Sequence, residues 1–144
     1  MTTQSVSQIL AKTPLYTDNE LYAILKLPVA GIIVAASIVA EISDPFCALI
    51  VDKDEVTLVV PHEATEEFAG RLRQYEAEAS LYRLITFDMI LSSDLVGFMA
   101  KISGVLAEAG VPIFPYAAYS RDHLLIPEGL FETAMKVLQK LKVG

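Results

Sequence analysis

The chain of 144 residues has no tryptophan and one cysteine, Cys47, and its 18 acidic residues outnumber its 11 basic ones. A single cysteine excludes an internal disulfide and a cysteine-rich metal site. Since the net charge is -7 and no basic cluster interrupts the sequence, we expect no nucleic-acid partner. Hydrophobic residues make up 53% of the chain and charged residues 20%, which excludes intrinsic disorder.

Long hydrophobic runs are also missing. The most apolar run, residues 27–40, is 14 residues long and contains Pro28 and Gly31, whereas a membrane-spanning helix needs about 20. Residues 1–16 show no basic patch followed by an apolar stretch, so we expect no secretory signal. We therefore predict a cytoplasmic protein with no membrane association.

Motifs for metal or cofactor binding are absent from the sequence. The two histidines, His62 and His123, show no metal-ligand spacing. There is no glycine-rich phosphate loop and no hydrolase motif. We therefore expect no metal and no cofactor.

The sequence repeats itself. Residues 21–78 align without gaps with residues 87–144, at an offset of 66, and nine of the 58 pairs are identical. This is about 16% identity, against roughly 6–7% expected by chance from ordinary composition. The hydrophobic patterns of the two halves coincide as well, so we interpret the chain as a duplication.

The second half is predicted to have the order βαββα. Alternating hydrophobicity over residues 82–91 predicts a half-buried strand. Apolar residues three and four apart over residues 98–109 predict a helix. Residues 111–119 and 123–126 predict strands, the first at a sheet edge because of its two prolines. Residues 130–141 predict a final amphipathic helix.

The first half shows the same order. Residues 21–27 predict a strand, and residues 30–42 predict a helix that stops at residues 43–45, although β-branched residues also permit a strand there. Residues 46–60 predict a hairpin. Residues 65–79 predict a helix whose inward side chains are Phe68, Leu72 and Tyr75.

Each half therefore corresponds to a ferredoxin-like βαββαβ unit without its last strand. We predict an α+β fold of two such βαββα repeats, packed as a pseudo-symmetric tandem, with antiparallel sheets and helices on one face. The predicted divisions are an N-terminal segment, 1–19, a first repeat, 20–80, and a second repeat, 81–144. Because a half with an open edge is marginally stable alone, we expect each half to complete or cover the other's sheet.

Three segments carry a resemblance to a known family. They are DEVTLVVPHE at 54–63, DLVGFMAKISGVLAEAGVPIF at 94–114 and AYSRDHLLIP at 118–127. In their order and spacing they resemble the tandem ACT-domain proteins related to aspartokinase regulatory domains and to the CASTOR arginine sensors. The resemblance implies a regulatory module that binds a free amino acid or a similar metabolite between paired ACT units. It also implies a homo-oligomer or a separate partner protein that is regulated.

The resemblance further implies which residues line the ligand site. They belong to the turn before the second-repeat helix and to the segment before the last strand: Asp94, Leu95, Val96, Gly97, Phe98, Tyr119 and Asp122. The sequence departs from the family at Ala118, where Thr or Ser is common, and it places Arg121 and His123 beside the aspartate.

The chemistry of these residues fits a ligand with two charges. Unpaired N–H groups at a helix start attract a carboxylate, and Gly97 lets a ligand approach the backbone. Asp122 lies next to apolar residues and needs a partner, which would be a ligand cation, Arg121 or a turn N–H. Asp94 has N-cap spacing, so capping of the helix is an alternative to ligand binding for this residue. Tyr119 either packs in the core or at an interface, or it offers its hydroxyl to the site.

The sequence is compatible with three functions. The first is a non-enzymatic amino-acid sensor, and the second is an oligomerisation or interaction module of the same fold that binds no ligand. The third is an enzyme, with Asp88, Asp94, Asp122 and His123 as acid–base candidates. Because the sequence lacks a coherent set of acid, base and nucleophile, we predict the sensor and no enzymatic activity.

Overall fold

The chain folds into two compact units, and the computed structural model describes residues 5–42 and 46–143 of it. The first-repeat unit comprises Asn19–Tyr82. The second-repeat unit comprises Arg83–Gly144 together with Met1–Asp18. Residues 43–45, where we expected the first helix to stop, lie outside the described residues.

The secondary structure confirms the predicted α+β class. The N-terminal residues form α1 (Val6–Lys12) and β1 (Leu15–Tyr16). The first repeat forms β2 (Tyr22–Leu27), a 3-10 turn (Val29–Gly31), α2 (Ile32–Glu41), β3 (Ala48–Val51), β4 (Val56–Pro61), α3 (His62–Glu67) and β5 (Glu76–Ala77). The second repeat forms β6 (Tyr82–Phe87), α4 (Phe98–Glu108), β7 (Phe114–Ala117), β8 (Asp122–Pro127), a 3-10 turn (Glu128–Leu130) and α5 (Phe131–Val143).

The sheet of the first-repeat unit is antiparallel, with β4 between β3 and β2. Because side chains alternate across a strand, one face of this sheet presents a continuous apolar surface. That face packs against Ala35 and Ile38 of α2. The strand residues in this core are Ala23, Leu25, Leu27, Val56, Leu58 and Val60.

The second-repeat unit has the same layered arrangement. Its strands lie in the order β6, β8, β7, and β7 pairs antiparallel with β8. The core packs Ile85, Phe87, Leu124 and Ile126 from one face of the strands against helices. The helical residues of this core come from α1, α4 and α5: Leu10, Phe98, Ile102, Leu106, Phe131, Ala134 and Leu138. The helices therefore cover one face of the sheet, as predicted.

Each unit gains a short strand beyond the βαββα pattern. In the first-repeat unit β5 pairs antiparallel with β2, opposing Ala77 to Leu25. In the second-repeat unit β1 pairs antiparallel with β6, opposing Leu15 to Phe87. The additional strand thus comes from residues within the same unit. Two-residue strands are too short to show an alternating pattern, so the sequence does not reveal them.

The two repeats differ in length at one connection. α2 and α4 begin 66 residues apart, at Ile32 and Phe98, but β2 and β6 begin 60 apart. The link from β2 to α2 has four residues, 28–31, whereas the β6–α4 connection has ten, 88–97. The ungapped alignment is therefore wrong over the first strand of each repeat, because the second repeat carries six extra residues directly after that strand.

Two predicted elements differ from the structure. The helix expected over residues 65–79 is α3, which ends at Glu67. Phe68 and Leu72 are buried as expected, but Tyr75 is 40% exposed, because the chain turns back to pair β5 with β2. The strand expected over residues 82–91 ends at Phe87, and its side chains are buried on both faces rather than alternately.

Candidate functional site

The β6–α4 connection has backbone hydrogen bonds at its start and in its middle and a left-handed glycine at its end. At its start the Asp88 N–H donates to the carbonyl of Pro14, 2.9 Å away. In the middle the Leu95 N–H donates to the carbonyl of Ser92 across 3.1 Å. At its end Gly97 has φ +90, in the left-handed region where side chains are strained, so this position requires glycine. The connection is thus a defined structure that leads directly into α4.

A cavity of about 290 Å³, the α4 cavity, lies beside the start of α4. The connection, the first residue of α4 and the β7–β8 turn form its walls. Its lining residues are Leu91, Ser92, Ser93, Leu95, Phe98, Ala117, Ala118, Tyr119, Ser120, Arg121 and Asp122. The structure therefore brings together four of the predicted residues: Leu95, Phe98, Tyr119 and Asp122.

Two opposite charges lie in this cavity. The Arg121 Nε donates to Asp88 Oδ1 across 2.9 Å, so this guanidinium does not pair with its neighbour Asp122. No hydrogen bond or ion pair joins the partly buried Asp122 carboxylate to any residue in the described part of the chain. This carboxylate is therefore able to accept hydrogen bonds from a cationic group outside the chain.

A second cavity, the α1 groove, lies on the other side of the connection and measures about 530 Å³. Three predicted site residues, Asp94, Leu95 and Val96, face it. Its lining residues are Ser5, Val6, Ile9, Met89, Ile90, Leu91, Ser92, Asp94, Leu95 and Val96. Asp94 and Val96 thus line this cavity only, whereas Leu95 lines both.

Gly97 and Asp94 both lie near the start of α4, outside the lining of the α4 cavity. Gly97 lines neither cavity; it is the N-cap of α4, and an added Cβ would lie 3.9 Å from Val6 Cγ2. The capping interpretation of Asp94 is wrong, because α4 begins at Phe98 and has no side-chain cap. The longer connection places Asp94 in the preceding turn, where its N–H donates to Ser92 Oγ across 3.2 Å.

Sequence reasoning missed several residues of the α4 cavity. Ser92 and Ser93 line it, although in the sequence they only mark the end of a strand pattern. Arg121 lines it as well, and its position beside Asp122 was the available signal. Tyr119 is fully exposed, with a relative accessibility of 104%, so it borders the mouth of the cavity rather than its floor.

His123 lies next to Asp122 on β8 but does not line either cavity. Its Nδ1 is 2.8 Å from the hydroxyl of Thr86, a buried residue of β6. Burial lowers the pKa of His123 below 6.5, an effect that Arg121 reinforces and Asp122 partly opposes. The folded protein therefore favours the neutral imidazole.

This shift predicts a loss of stability in acid. Because the folded state binds the His123 proton less readily than the unfolded state, the free energy of unfolding should fall as pH drops below 6.5. His123→Gln should remove part of that fall, measured by urea unfolding across a pH series. NMR titration of the imidazole provides the direct check. A His123 midpoint at or above 6.5 would contradict the prediction.

Three other features were considered: a cysteine nucleophile, a metal site and a membrane-spanning helix. Cys47 is half-buried, and burial raises the pKa of its thiol, which disfavours the nucleophilic thiolate. Among the described residues, no group of three or more His, Cys, Asp or Glu side chains is arranged to hold a metal ion. No helix in residues 5–42 or 46–143 has the length and hydropathy needed to cross a bilayer.

Comparison with known proteins finds a family similarity in the second repeat. Residues 79–140 match the family model of the ACT domain. The chain is also 27% identical over 90 residues to the human protein "Cytosolic arginine sensor for mTORC1 subunit 1". The bovine protein of the same name matches at the same identity. The aligned region covers 62% of this chain and 27% of the human protein, so the chain spans about a quarter of the length of these curated relatives.

The similarity in fold extends over nearly the whole chain. The regulatory subunit of aspartate kinase from Thermus thermophilus superimposes with a TM-score of 0.71 at 15% identity, covering 91% of this chain and 98% of that one. A protein of unknown function from Vibrio cholerae gives a TM-score of 0.70 at 22% identity, covering 92% and 93%. Residues 79–140 are therefore similar to the ACT domain, within a chain that has the fold of aspartokinase regulatory domains.

Proposed function

We propose that this protein is a non-enzymatic regulatory module that binds an amino-acid-like ligand in the α4 cavity. The observation that carries the proposal is the partly buried Asp122 carboxylate, which lines this cavity and makes no hydrogen bond or ion pair with the described residues. The expectation that the ligand lies at an interface between ACT units stays a prediction. The residues that line the cavity all belong to the second-repeat unit.

The cavity offers a complement to both charges of an amino acid. Asp122 would accept hydrogen bonds from an ammonium or guanidinium group. Arg121, together with the uncapped N–H groups at the start of α4, would bind the carboxylate. A volume of about 290 Å³ is close to the lower end of ligand pockets, roughly 300–1,000 Å³, which suits a ligand of this size.

The named relatives support a regulatory role. The human relative is named as a cytosolic arginine sensor, and the Thermus protein is a regulatory subunit. By this similarity we propose a cytoplasmic protein that passes its signal to a partner protein or through its own oligomeric state. Binding of the ligand would act by favouring one conformation of the module over another.

Thermal-shift measurements with each of the twenty amino acids test the proposal. A ligand at 100 times its dissociation constant should raise the free energy of unfolding by about 2.7 kcal/mol. Isothermal titration then gives the affinity and stoichiometry of any amino acid that shifts the transition. If no amino acid stabilises the protein, the proposed function is wrong.

A second function, ligand-independent self-association, is favoured by one surface of the first-repeat unit. The outer side of α2 exposes Ile33 to 79%, and the 3-10 turn before it exposes Val29 to 48%. The neighbouring edge strand β3 exposes Ile50 and Val51 to 44% and 48%. In the second repeat, by contrast, the edge strand β7 contains Pro115, which cannot donate to a further strand. The first-repeat unit therefore presents the surface better suited to a second copy.

Ile33→Asp should prevent such self-association, because it places a charge at the most exposed of these apolar side chains. Size-exclusion chromatography with light scattering should show a dimer for the wild type and a monomer for this variant. Ala100→Asp, on the exposed side of α4, is the matched control and should leave the dimer intact. A wild type that is monomeric at all concentrations would rule out this second function.

A further inference from the structure

The α1 groove is a cavity that the proposed ligand site does not use. One wall is the first turn of α1, with Val6 and Ile9, and the other is the β6–α4 connection. Most of its lining side chains are apolar. At about 530 Å³ it is larger than the α4 cavity. A pocket of this size and composition is typical of binding sites.

Two exposed side chains at the edge of the α1 groove indicate the size of its occupant. Ile90 is 71% exposed and Val96 is 85% exposed, and both lie on the connection at the edge of the groove. A segment that lies across the groove would bury them together with Val6 and Ile9, which increases the apolar area removed from water.

The charge of the groove points to the chemistry of its occupant. Asp94 lines it, and no basic residue does. The chain as a whole carries a net charge of -7. An occupant with lysine or arginine beside its apolar side chains is therefore electrostatically complementary, and an acidic one is repelled.

We propose that the α1 groove docks a basic amphipathic helix of a partner protein. The apolar side of such a helix fits between α1 and the connection, in the way that amphipathic helices occupy hydrophobic grooves. Its basic residues face Asp94. Three residues, Leu91, Ser92 and Leu95, line both the groove and the α4 cavity. If the proposed ligand function holds, ligand and helix therefore contact opposite sides of one wall.

Fluorescence anisotropy with two synthetic helical peptides of about 14 residues, or four turns, tests the docking without any amino-acid ligand. One peptide has leucine on one side and lysine on the other, and the second has glutamate in place of lysine. The 144-residue chain should bind the lysine peptide and not the glutamate peptide. Val96→Asp should weaken this binding at least tenfold, and Ile90→Asp should do the same.

Tyr75→Asp is the matched control, since it adds the same charge at an exposed aromatic residue of the first-repeat unit. Non-specific attraction of a cationic peptide would strengthen with either added charge, so a loss confined to the groove variants locates the contact. The proposal is overturned if the wild type binds neither peptide or both equally. It is also overturned if Val96→Asp behaves like Tyr75→Asp. An amino-acid ligand for the α4 cavity can exist under any of these outcomes, so the two proposals fail separately.

Discussion

Asp122→Asn is expected to weaken the binding of an amino-acid ligand by about 10- to 100-fold. A hydrogen bond to a charged group contributes roughly 1.5–3 kcal/mol, and each 1.4 kcal/mol changes an affinity tenfold. The amide keeps the shape of the side chain but loses its charge, so the loss reports the interaction with the cationic group of the ligand. Isothermal titration with the amino acid that most stabilises the wild type measures the effect.

Asp94→Asn is the matched control for this variant. It makes the same chemical change in a neighbouring acidic residue that is exposed and lines the α1 groove rather than the α4 cavity. We expect its ligand affinity to stay within a factor of two or so of the wild type, as for a surface change away from the site. Equal losses in both variants would show that overall charge, and not a contact with Asp122, determines the affinity.

Phe87→Ala is expected to destabilise the protein by about 3–5 kcal/mol, the usual range for truncating a buried phenylalanine. Phe87 is fully buried in the core of the second-repeat unit. Its ring meets that of Phe98 edge to face, with centroids 5.5 Å apart. The loss is large relative to the 5–15 kcal/mol that stabilises an ordinary domain, and urea unfolding should show it as a lower midpoint.

Tyr119→Ala removes an aromatic side chain of similar size from a fully exposed position. Its effect on the free energy of unfolding should stay within about 0.5 kcal/mol. A loss comparable to that of Phe87→Ala would mean that the Tyr119 side chain packs against the protein in solution. Because Phe98 also lines the α4 cavity, the core contact tested by Phe87→Ala supports one wall of the proposed site.

The regular elements of the fold were predictable because their signals are local. The apolar runs of β4 and β8 and the apolar spacing of α4 each lie within one element. The prediction failed after α3, where Phe68 and Leu72 have helical spacing but belong to the turn and irregular segment that follow the helix. There the pairing of β5 with β2 decides the course of the chain, and that pairing joins residues far apart in sequence.

The candidate site was predictable in part. The resemblance led to Leu95, Phe98, Tyr119 and Asp122, which the structure places around one cavity. It did not separate them from Asp94 and Val96, which line the α1 groove. Consecutive residues of an irregular connection point in directions that no periodicity determines, so only the folded chain assigns each one to a cavity.

Sequence patterns by themselves determined that this protein is a duplicated α+β chain with a polar segment before the first helix of the second repeat. Periodicity and internal repetition are properties of the order of residues, so they need no tertiary information. The tertiary structure alone decided that six additional residues after β6 form a wall between two cavities. It also decided that Arg121 pairs with Asp88 and leaves Asp122 available. These outcomes depend on distances between residues that are remote in sequence, and such distances are fixed only when the core of the second-repeat unit packs.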